Sequence, residues 1–451
     1  MAKYVIVGNS AGGIGAVEAI REVDPQASLA MVSDEPYAAY SRPAIAEFLM
    51  GERDFGERML YRDPEFYRRN RVEEHFGVRV TQLDVDRREA ILDTGERLGW
   101  ERLLLATGGV PIMPRMDGLG LEGVHAFTTI DHARSIDNAL RQGANRVVVI
   151  GGGLIGCSLT HALVRRGGVE VVMVELLDRV LAAMMDATAS RVVEARLRDL
   201  GVRVITGHSV VSILPSSSDA SKVGAVTLDN GEEVPCDLVG VGVGVAPRVE
   251  LARETPIQVN RGIVVDRHME TTVPGVFACG DVAEAYDFIY GSHRVVAIWP
   301  NAYFGGRIAG FNMAGASHEY DGCTSMNAFS YFDLALASAG LFDPGSAEQV
   351  QTITAGSDGA YKKVVLRDGR VVGFLLLGEI EPAGVLFHLM RDRTLVGEFQ
   401  DLLLEDGFGL AALPRPLRDA WLQNGNGSGD GLAEGLAGLG AQPGSLPGSE
   451  D

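Results

Sequence analysis

The chain has 451 residues and sets 60 Asp and Glu against 40 Lys and Arg, a net charge of −20. That excess of negative charge argues against a nucleic-acid partner, because such binding is dominated by cationic contacts to phosphate. Hydrophobic residues are 46%, aromatics 7% and glycines 57 in number, a length and composition for two or three tightly turned α/β domains rather than a coiled coil or a disordered chain. Met1-Ala2-Lys3 runs straight into an apolar strand and leaves no room for a secretory signal. Glycines and charges interrupt every apolar run, so no membrane span is expected. Cys157, Cys236, Cys279 and Cys323 are widely spaced, with neither a C-x-x-C pair nor histidines beside them. This pattern predicts a cytoplasmic protein with no disulfide framework and no metal site.

The first elements read as strand Lys3–Val7, helix Gly13–Arg21 and strand Leu29–Val32. A polar, aromatic loop at Pro36–Pro43 and a helical stretch at Ala44–Met50 follow. Short strands then appear, among them Val78-Arg79-Val80 and Ala90-Ile91-Leu92, closing on Leu103 to Gly108. Pro111 and Pro114 mark a linker.

At Arg146 the scheme repeats, with strand Val147–Ile150, helix Gly156–Arg166, strand Glu170–Glu175 and helix Arg191–Leu200. Strands Val202–Thr206, Val223–Leu228 and Leu238–Val245 complete this unit. Gly262–Val265, Val276–Asp281 and a small-residue helix at Asn301–Ala314 read as a return to the first domain, which makes the second nucleotide domain an insertion. The expected architecture is α/β: two Rossmann-like dinucleotide-binding domains, the first interrupted by the second, and a smaller α+β C-terminal domain. The expected boundaries are 1–117, 118–248, 249–319 and 320–415, with strands at Lys362–Leu366 and Val371–Leu377 in the last. Residues 416–451 are expected to be a disordered tail, Gly/Ser/Pro-rich, acidic and free of aromatic and basic residues from Asn424 on.

Both repeats carry a dinucleotide fingerprint at a strand-to-helix turn. In the first, Gly8, Ser10 and Gly13 stand at the three glycine positions, with Ala11 between them. The backbone there approaches a pyrophosphate held on the N-terminus of the next helix. Serine is tolerated at the middle position if its backbone angles are ordinary. Asp34, with Glu35 next to it, ends the following strand, where a carboxylate accepts from ribose hydroxyls. The second fingerprint is complete in Gly151, Gly153 and Gly156, with Leu154 and Ile155 inside the loop and Glu175 ending the next strand. Leu176-Leu177 follow, and no basic residue comes before Arg179, so this loop is expected to take NADH/NAD rather than the 2′-phosphorylated form. Two dinucleotides bound side by side imply electron transfer between them.

Four further segments make the chain resemble the two-dinucleotide-binding flavoproteins, the pyridine nucleotide–disulfide oxidoreductases, over residues 1 to about 415. These are Leu104-Leu105-Ala106-Thr107-Gly108, Gly242-Val243-Gly244-Val245-Ala246-Pro247, Thr272 to Gly280-Asp281, and Trp299-Pro300-Asn301-Ala302. The resemblance implies that the first loop holds FAD and that hydride passes from NADH to it. It adds Val80, Ala106, Thr107, Gly108, Gly244, Gly280, Asp281, Ala297 and Trp299 as cofactor-binding candidates.

The disulfide reductases of this family place a redox cysteine near Tyr40-Ser41-Arg42-Pro43, whereas this chain has no cysteine before Cys157. Thiol–disulfide chemistry needs a thiolate in reach of the flavin, so that activity is excluded at this position. The segment resembles that of the ferredoxin, rubredoxin and nitrite reductase branches, which implies that Arg42, with Pro43, helps bind FAD. Two departures accompany it: Glu47 where those branches often carry a lysine, and Ser158 where the family commonly carries a glutamate. Cys157 is expected to be a buried small apolar residue, and His161 a surface or interface residue.

The resemblance implies an FAD-dependent NADH:acceptor oxidoreductase serving an iron–sulfur or similar protein, as a free enzyme or as the flavin subunit of a larger redox enzyme, in a homo- or hetero-oligomer. The alternatives are a free-standing NADH oxidase or diaphorase, and a low-turnover redox-sensing flavoprotein. No catalytic side chain is expected, since hydride transfer to flavin needs no protein base.

Overall fold

The computed structural model describes residues 2–345, 350–357 and 360–424. The first unit runs β1 (Ala2–Val7), α1 (Ala11–Val23), β2 (Leu29–Ser33), α2 (Ile45–Met50), α3 (Phe66–Arg69), β3 (Val72–Phe76), β4 (Val80–Asp84), β5 (Glu89–Leu92) and β6 (Arg97–Leu105). Strands β3, β2, β1 and β6 lie side by side in parallel. The near-continuous apolar run Tyr4–Val7 suits a strand covered on both faces, and all four residues are buried. The N-terminal half of β6 leaves this layer to pair antiparallel with β5, which pairs with β4.

A connecting strand, β7 (Gly109–Pro111), leads into the second unit: β8 (Val124–Ala126), α4 (Ile130–Arg141), β9 (Arg146–Ile150), α5 (Leu154–Arg166), β10 (Glu170–Glu175), α6 (Ala187–Asp199) and β11 (Arg203–Thr206). An antiparallel sheet of β12 (Val210–Pro215), β13 (Val223–Leu228) and β14 (Glu233–Pro235) follows, then β15 (Leu238–Val241). The parallel sheet is ordered β11-β10-β9-β15-β8. Helix α6 starts at Ala187 rather than Arg191 because Asp186 caps it, accepting from the N–H of Thr188 at 3.1 Å and of Ala189 at 3.0 Å.

The expected single strand Leu238–Val245 is broken after Val241, and the chain resumes as β16 (Val245–Pro247), which pairs antiparallel with β7. The two crossovers between the nucleotide units thus form one ribbon. The chain continues through α7 (Glu250–Arg253), β17 (Ile263–Val264), β18 (Val276–Ala278), β19 (Ala283–Asp287), β20 (Ser292–Arg294) and α8 (Trp299–Met313). Strand β18 joins the first sheet beside β6, so the second nucleotide domain is an insertion in the first. Helix α8 crosses α1 at backbone distance: a Cβ on Gly306 would lie 2.0 Å from the carbonyl oxygen of Gly12.

The C-terminal unit is an antiparallel sheet of β21 (Met326–Tyr331), β22 (Leu334–Gly340), β23 (Gln351–Ser357), β24 (Ala360–Arg367) and β25 (Arg370–Leu377), in the order β21-β22-β25-β24-β23 and packed against α9 (Ala383–Arg391). The expected tail begins later than position 416, because Arg415–Asn424 forms helix α10, whose Trp421 ring sits 3.9 Å from that of His388. That aromatic contact gives the segment something to pack on. The rest of the tail, 425–451, lies outside the described residues. Among the described residues no helix is long and apolar enough to cross a membrane.

Candidate active site

The first fingerprint turn is built by close backbone approach. Gly8 has φ +124°, and a Cβ there would lie 2.0 Å from the carbonyl oxygen of Ala106. A Cβ on Gly13 would lie 2.1 Å from the carbonyl oxygen of Gly8, so the loop has no space for side chains on its inner side. Ser10 is the N-cap of α1 with extended angles, φ −146° and ψ −160°, which any residue adopts. Its hydroxyl does not bond the helix, and the first-turn N–H groups, from Ala11 on, receive no side-chain acceptor from the cap. Such an end, carrying partial positive charge, fits a pyrophosphate.

Around this cradle the fold gathers expected residues from several segments. Ala106 donates its N–H to the carbonyl of Val7 at 2.8 Å. Thr107 Oγ1 donates to the carbonyl of Arg248 at 2.9 Å, and the Arg248 N–H returns to the carbonyl of Gly108 at 2.9 Å. Cys279 donates its N–H to Leu105 at 3.1 Å, which sets Gly280 and Asp281 beside the loop, and Gly280 lies against Ala302 at the start of α8. Burial pushes the Asp281 carboxyl above the ordinary carboxylate range, against the pull of the Arg42 guanidinium. Trp299 opens α8 with its ring edge-on to Tyr61 at 4.9 Å, and Ala297 is exposed just before it.

Both candidate acids are engaged. Asp34 accepts from Arg248 Nη1 at 2.7 Å and faces Arg79 at 3.6 Å. Glu35 accepts from Tyr40 Oη at 2.6 Å and pairs with Arg42, which also donates to the carbonyl of Thr128 at 3.2 Å. Pro43 follows in a short 3-10 turn, Arg42–Ala44. Val80 lies in the same neighbourhood, since Val78 donates to Ser33 at 3.0 Å, and the Val80 side chain is buried in the core that β1, β2 and β6 share.

The second turn repeats the first. Gly151 has φ +103°, and a Cβ there would lie 2.7 Å from the carbonyl oxygen of Gly242. A Cβ on Gly156 would stand 1.8 Å from the carbonyl oxygen of Gly151. Gly153 caps α5 with open space around it, and Leu154 and Ile155 form the half-buried first turn. Glu175 accepts from the N–H groups of Gly152 and Leu177. Leu176 and Leu177 beyond it are 66% and 53% exposed. Arg179, the first basic residue, turns away to Asp178 at 2.9 Å and Asp343 at 3.8 Å. Gly244 sits on the connecting ribbon, its carbonyl accepting from Ile112 at 3.0 Å.

All four cysteines are free and buried. Burial pushes the Cys157 thiol far above its ordinary value and those of Cys236, Cys279 and Cys323 up to about 12. Glu47, at the expected departure, pairs with Arg53. His161 is an interface residue: its Nδ1 accepts the Phe332 N–H of the C-terminal unit at 3.2 Å. Sequence reasoning missed Asn9, Tyr67 and Arg248, and named Tyr40 only within its segment, with no role of its own. Asn9 and Tyr67 hold the aromatic loop, with Tyr67 Oη donating to Asn9 Oδ1 at 2.8 Å and accepting from the Ala39 N–H at 2.8 Å. A polar residue inside the fingerprint was the available signal for Asn9; Arg248 had none.

The family model described as pyridine nucleotide-disulphide oxidoreductase matches residues 2–306, and that of the rubredoxin NAD+ reductase C-terminal domain matches residues 326–394. The NADH-dependent phenylglyoxylate dehydrogenase subunit epsilon of Aromatoleum evansii is 31% identical over 395 residues, covering 87% of this chain and 92% of the relative. The nitrite reductase [NAD(P)H] of Bacillus subtilis (strain 168) is 28% identical over 88% of this chain, which spans 48%, about half, of that relative. The structure of the covalent putidaredoxin reductase–putidaredoxin complex superposes with a TM-score of 0.82 at 26% identity, covering 94% of this chain and 99% of that one. With two fingerprint cradles joined by one ribbon, the chain belongs to the pyridine nucleotide–disulphide oxidoreductase family and is an FAD-dependent NAD(P)H oxidoreductase.

Proposed function

We propose that the protein takes hydride from NADH and delivers single electrons to an iron–sulfur protein or to a redox-enzyme subunit with which it assembles. FAD supplies the chemistry, since it accepts electrons as a pair and releases them singly. Gly8, Ser10, Ala11 and Gly13 bind its pyrophosphate, and Asp34 or Glu35 its ribose. Val80, Ala106–Gly108, Gly280, Asp281, Arg42-Pro43, Ala297 and Trp299 line the remainder. Gly151, Gly153, Leu154, Ile155 and Gly156 bind the NADH pyrophosphate, Glu175 its adenosine ribose, and Gly244 the approach between the two. Holding the two rings together is the main work asked of the protein.

One observation carries this reading: Tyr40–Pro43 offers no thiol, and the four cysteines elsewhere are buried and held protonated. Electrons therefore leave by a route other than thiol–disulfide exchange. The relative from Aromatoleum evansii is a subunit by name, and the superposed reductase is joined to putidaredoxin, which supports a protein acceptor. Four free thiols suit a reducing compartment, and we place the protein in the cytoplasm. The domain boundaries 117/118, 248/249 and 319/320 belong to the same proposal.

Anaerobic mixing with NADH, followed by a viologen dye, tests the function. Fast loss of flavin absorbance with fast recovery on adding the dye is expected. Bound flavin that NADH leaves oxidised would overturn the reading.

A further inference from the structure

The loop that carries Glu35 and Arg42 leaves the first nucleotide domain and is anchored in the second. Tyr40, 4% exposed, packs with Ile45, Leu49 and Met59 in one cluster with Ile130, Val149 and Cys157, not with β1 to β6. Four hydrogen bonds from this loop cross the same boundary. The Ile130 N–H donates to Tyr40 Oη at 3.1 Å. Arg42 Nη1 donates to the Thr128 carbonyl at 3.2 Å. Tyr37 Oη donates to Asp131 at 2.8 Å and accepts from Arg134 at 2.7 Å.

Ile130 is the first residue of α4, and the first N–H groups of a helix have no partner within it. Thr129 supplies one acceptor, taking the His132 N–H at 3.2 Å. The second acceptor is the Tyr40 phenol from the other domain. That same hydroxyl donates to Glu35 Oε1 at 2.6 Å, and Glu35 also pairs with Arg42. One hydrogen-bond network thus joins an acid proposed for the FAD ribose, an arginine proposed for FAD, and the end of a helix in the NADH-binding domain.

We propose that Tyr40 is a positioning residue for hydride transfer: its phenol caps α4 and holds the NADH-binding domain at the angle that sets the nicotinamide against the flavin, and FAD held at Glu35 and Arg42 keeps that cap in place. The inference rests on the function proposed above. It makes cofactor loading and domain alignment one event.

The test compares FAD-loaded wild type with Tyr40→Phe, which keeps the ring edge-on to Phe55 at 5.5 Å and removes only the hydroxyl. FAD content is expected to hold, while the limiting rate of flavin bleaching by NADH falls about tenfold and the long-wavelength absorbance of the flavin–nicotinamide pair weakens. Reduction by dithionite, which needs no aligned nicotinamide, stays unchanged. A bleaching rate and long-wavelength absorbance within about twofold of wild type at equal FAD content overturn the proposal. If Tyr40→Phe yields no FAD-loaded protein, a comparison made on wild type decides. Deuterium uptake in residues 128–134 gives a readout independent of turnover: stripping FAD from wild type is expected to raise it, and unchanged uptake overturns the coupling. Wild-type protein that NADH cannot bleach would sink the proposed function, while the uptake comparison would still decide the coupling.

Discussion

Gly8 and Ala106 approach so closely that a Cβ on the glycine would lie 2.0 Å from the alanine carbonyl oxygen, and Gly8 has φ +124° besides. Strand β6 runs parallel to β1 and brings that carbonyl to the fingerprint turn. In the second turn Gly156 approaches Gly151 as Gly13 approaches Gly8, and a Cβ on it would lie 1.8 Å from the Gly151 carbonyl oxygen.

These two contacts predict a clean separation of the cofactors. Gly8→Ala forces steric overlap and a strained φ, a cost of about 1–3 kcal/mol from the backbone alone, and is expected to yield protein without flavin. Gly156→Ala is expected to keep FAD and lose NADH binding. Flavin absorbance of the purified variants and NADH titration check both; a yellow Gly8→Ala protein would contradict the assignment of the first loop.

Glu175 is the residue we propose to set nucleotide preference in the second loop. Replacing it with Ala removes the acceptor for the N–H groups of Gly152 and Leu177 and the partner proposed for the adenosine ribose. A hydrogen bond to a charged group contributes about 1.5–3 kcal/mol, so kcat/KM for NADH is expected to fall at least about tenfold. The loss for NADPH should be smaller, because no carboxylate then opposes the 2′-phosphate. Steady-state kinetics with both nucleotides decide this, and an unchanged NADH-to-NADPH ratio would remove Glu175 from the site.

The contact of His161 with Phe332 is expected to make the seam between the NADH-binding domain and the C-terminal domain pH-dependent. A backbone N–H only donates, so Nδ1 must be unprotonated to accept it. Burial first, then Arg165, lower the His161 pKa from its ordinary 6.5, against the opposite pull of Asp333 and Glu52. The fold therefore binds fewer protons than the unfolded chain, and stability falls as pH drops below 6.5. Deuterium uptake in the turn Tyr331–Leu334, corrected for the intrinsic pH dependence of amide exchange, is expected to rise on going from about pH 7.5 down to about pH 5.5. His161→Gln, which cannot titrate, should flatten that rise; an equally steep response in the variant would assign it to another group.

Native protein is expected to give no reaction with a disulfide thiol reagent at neutral pH, and denatured protein to give four equivalents, because the four cysteines are buried and protonated. Thiol-blocking conditions should also leave bleaching by NADH intact. Loss of bleaching together with a modified cysteine would bring thiol chemistry back.

Much of the cofactor machinery was legible in the chain because it is local. A pyrophosphate cradle is made by a strand end, a turn and a helix N-terminus within about a dozen consecutive residues, so glycine spacing and apolar runs report it directly. The replacement of Gly by Ser10 was tolerable for a reason also local, its extended backbone. Element ends were less legible. Helix α6 begins four residues early on its Asp186 cap, and α10 forms where a tail was expected, on a contact with His388.

What the amino-acid order determined by itself was the pair of nucleotide-binding units, the insertion of one in the other, and the absence of a thiol from Tyr40–Pro43. Tertiary structure alone decided how those units are tied together. Arg248 reaches Asp34 across 214 positions, Tyr40 reaches Ile130 across 90, and His161 reaches Phe332 across 171. No periodicity or spacing encodes such pairs. Each exists because polar groups brought to a domain boundary by the packing of distant apolar surfaces must find a partner there or bear the cost of desolvation.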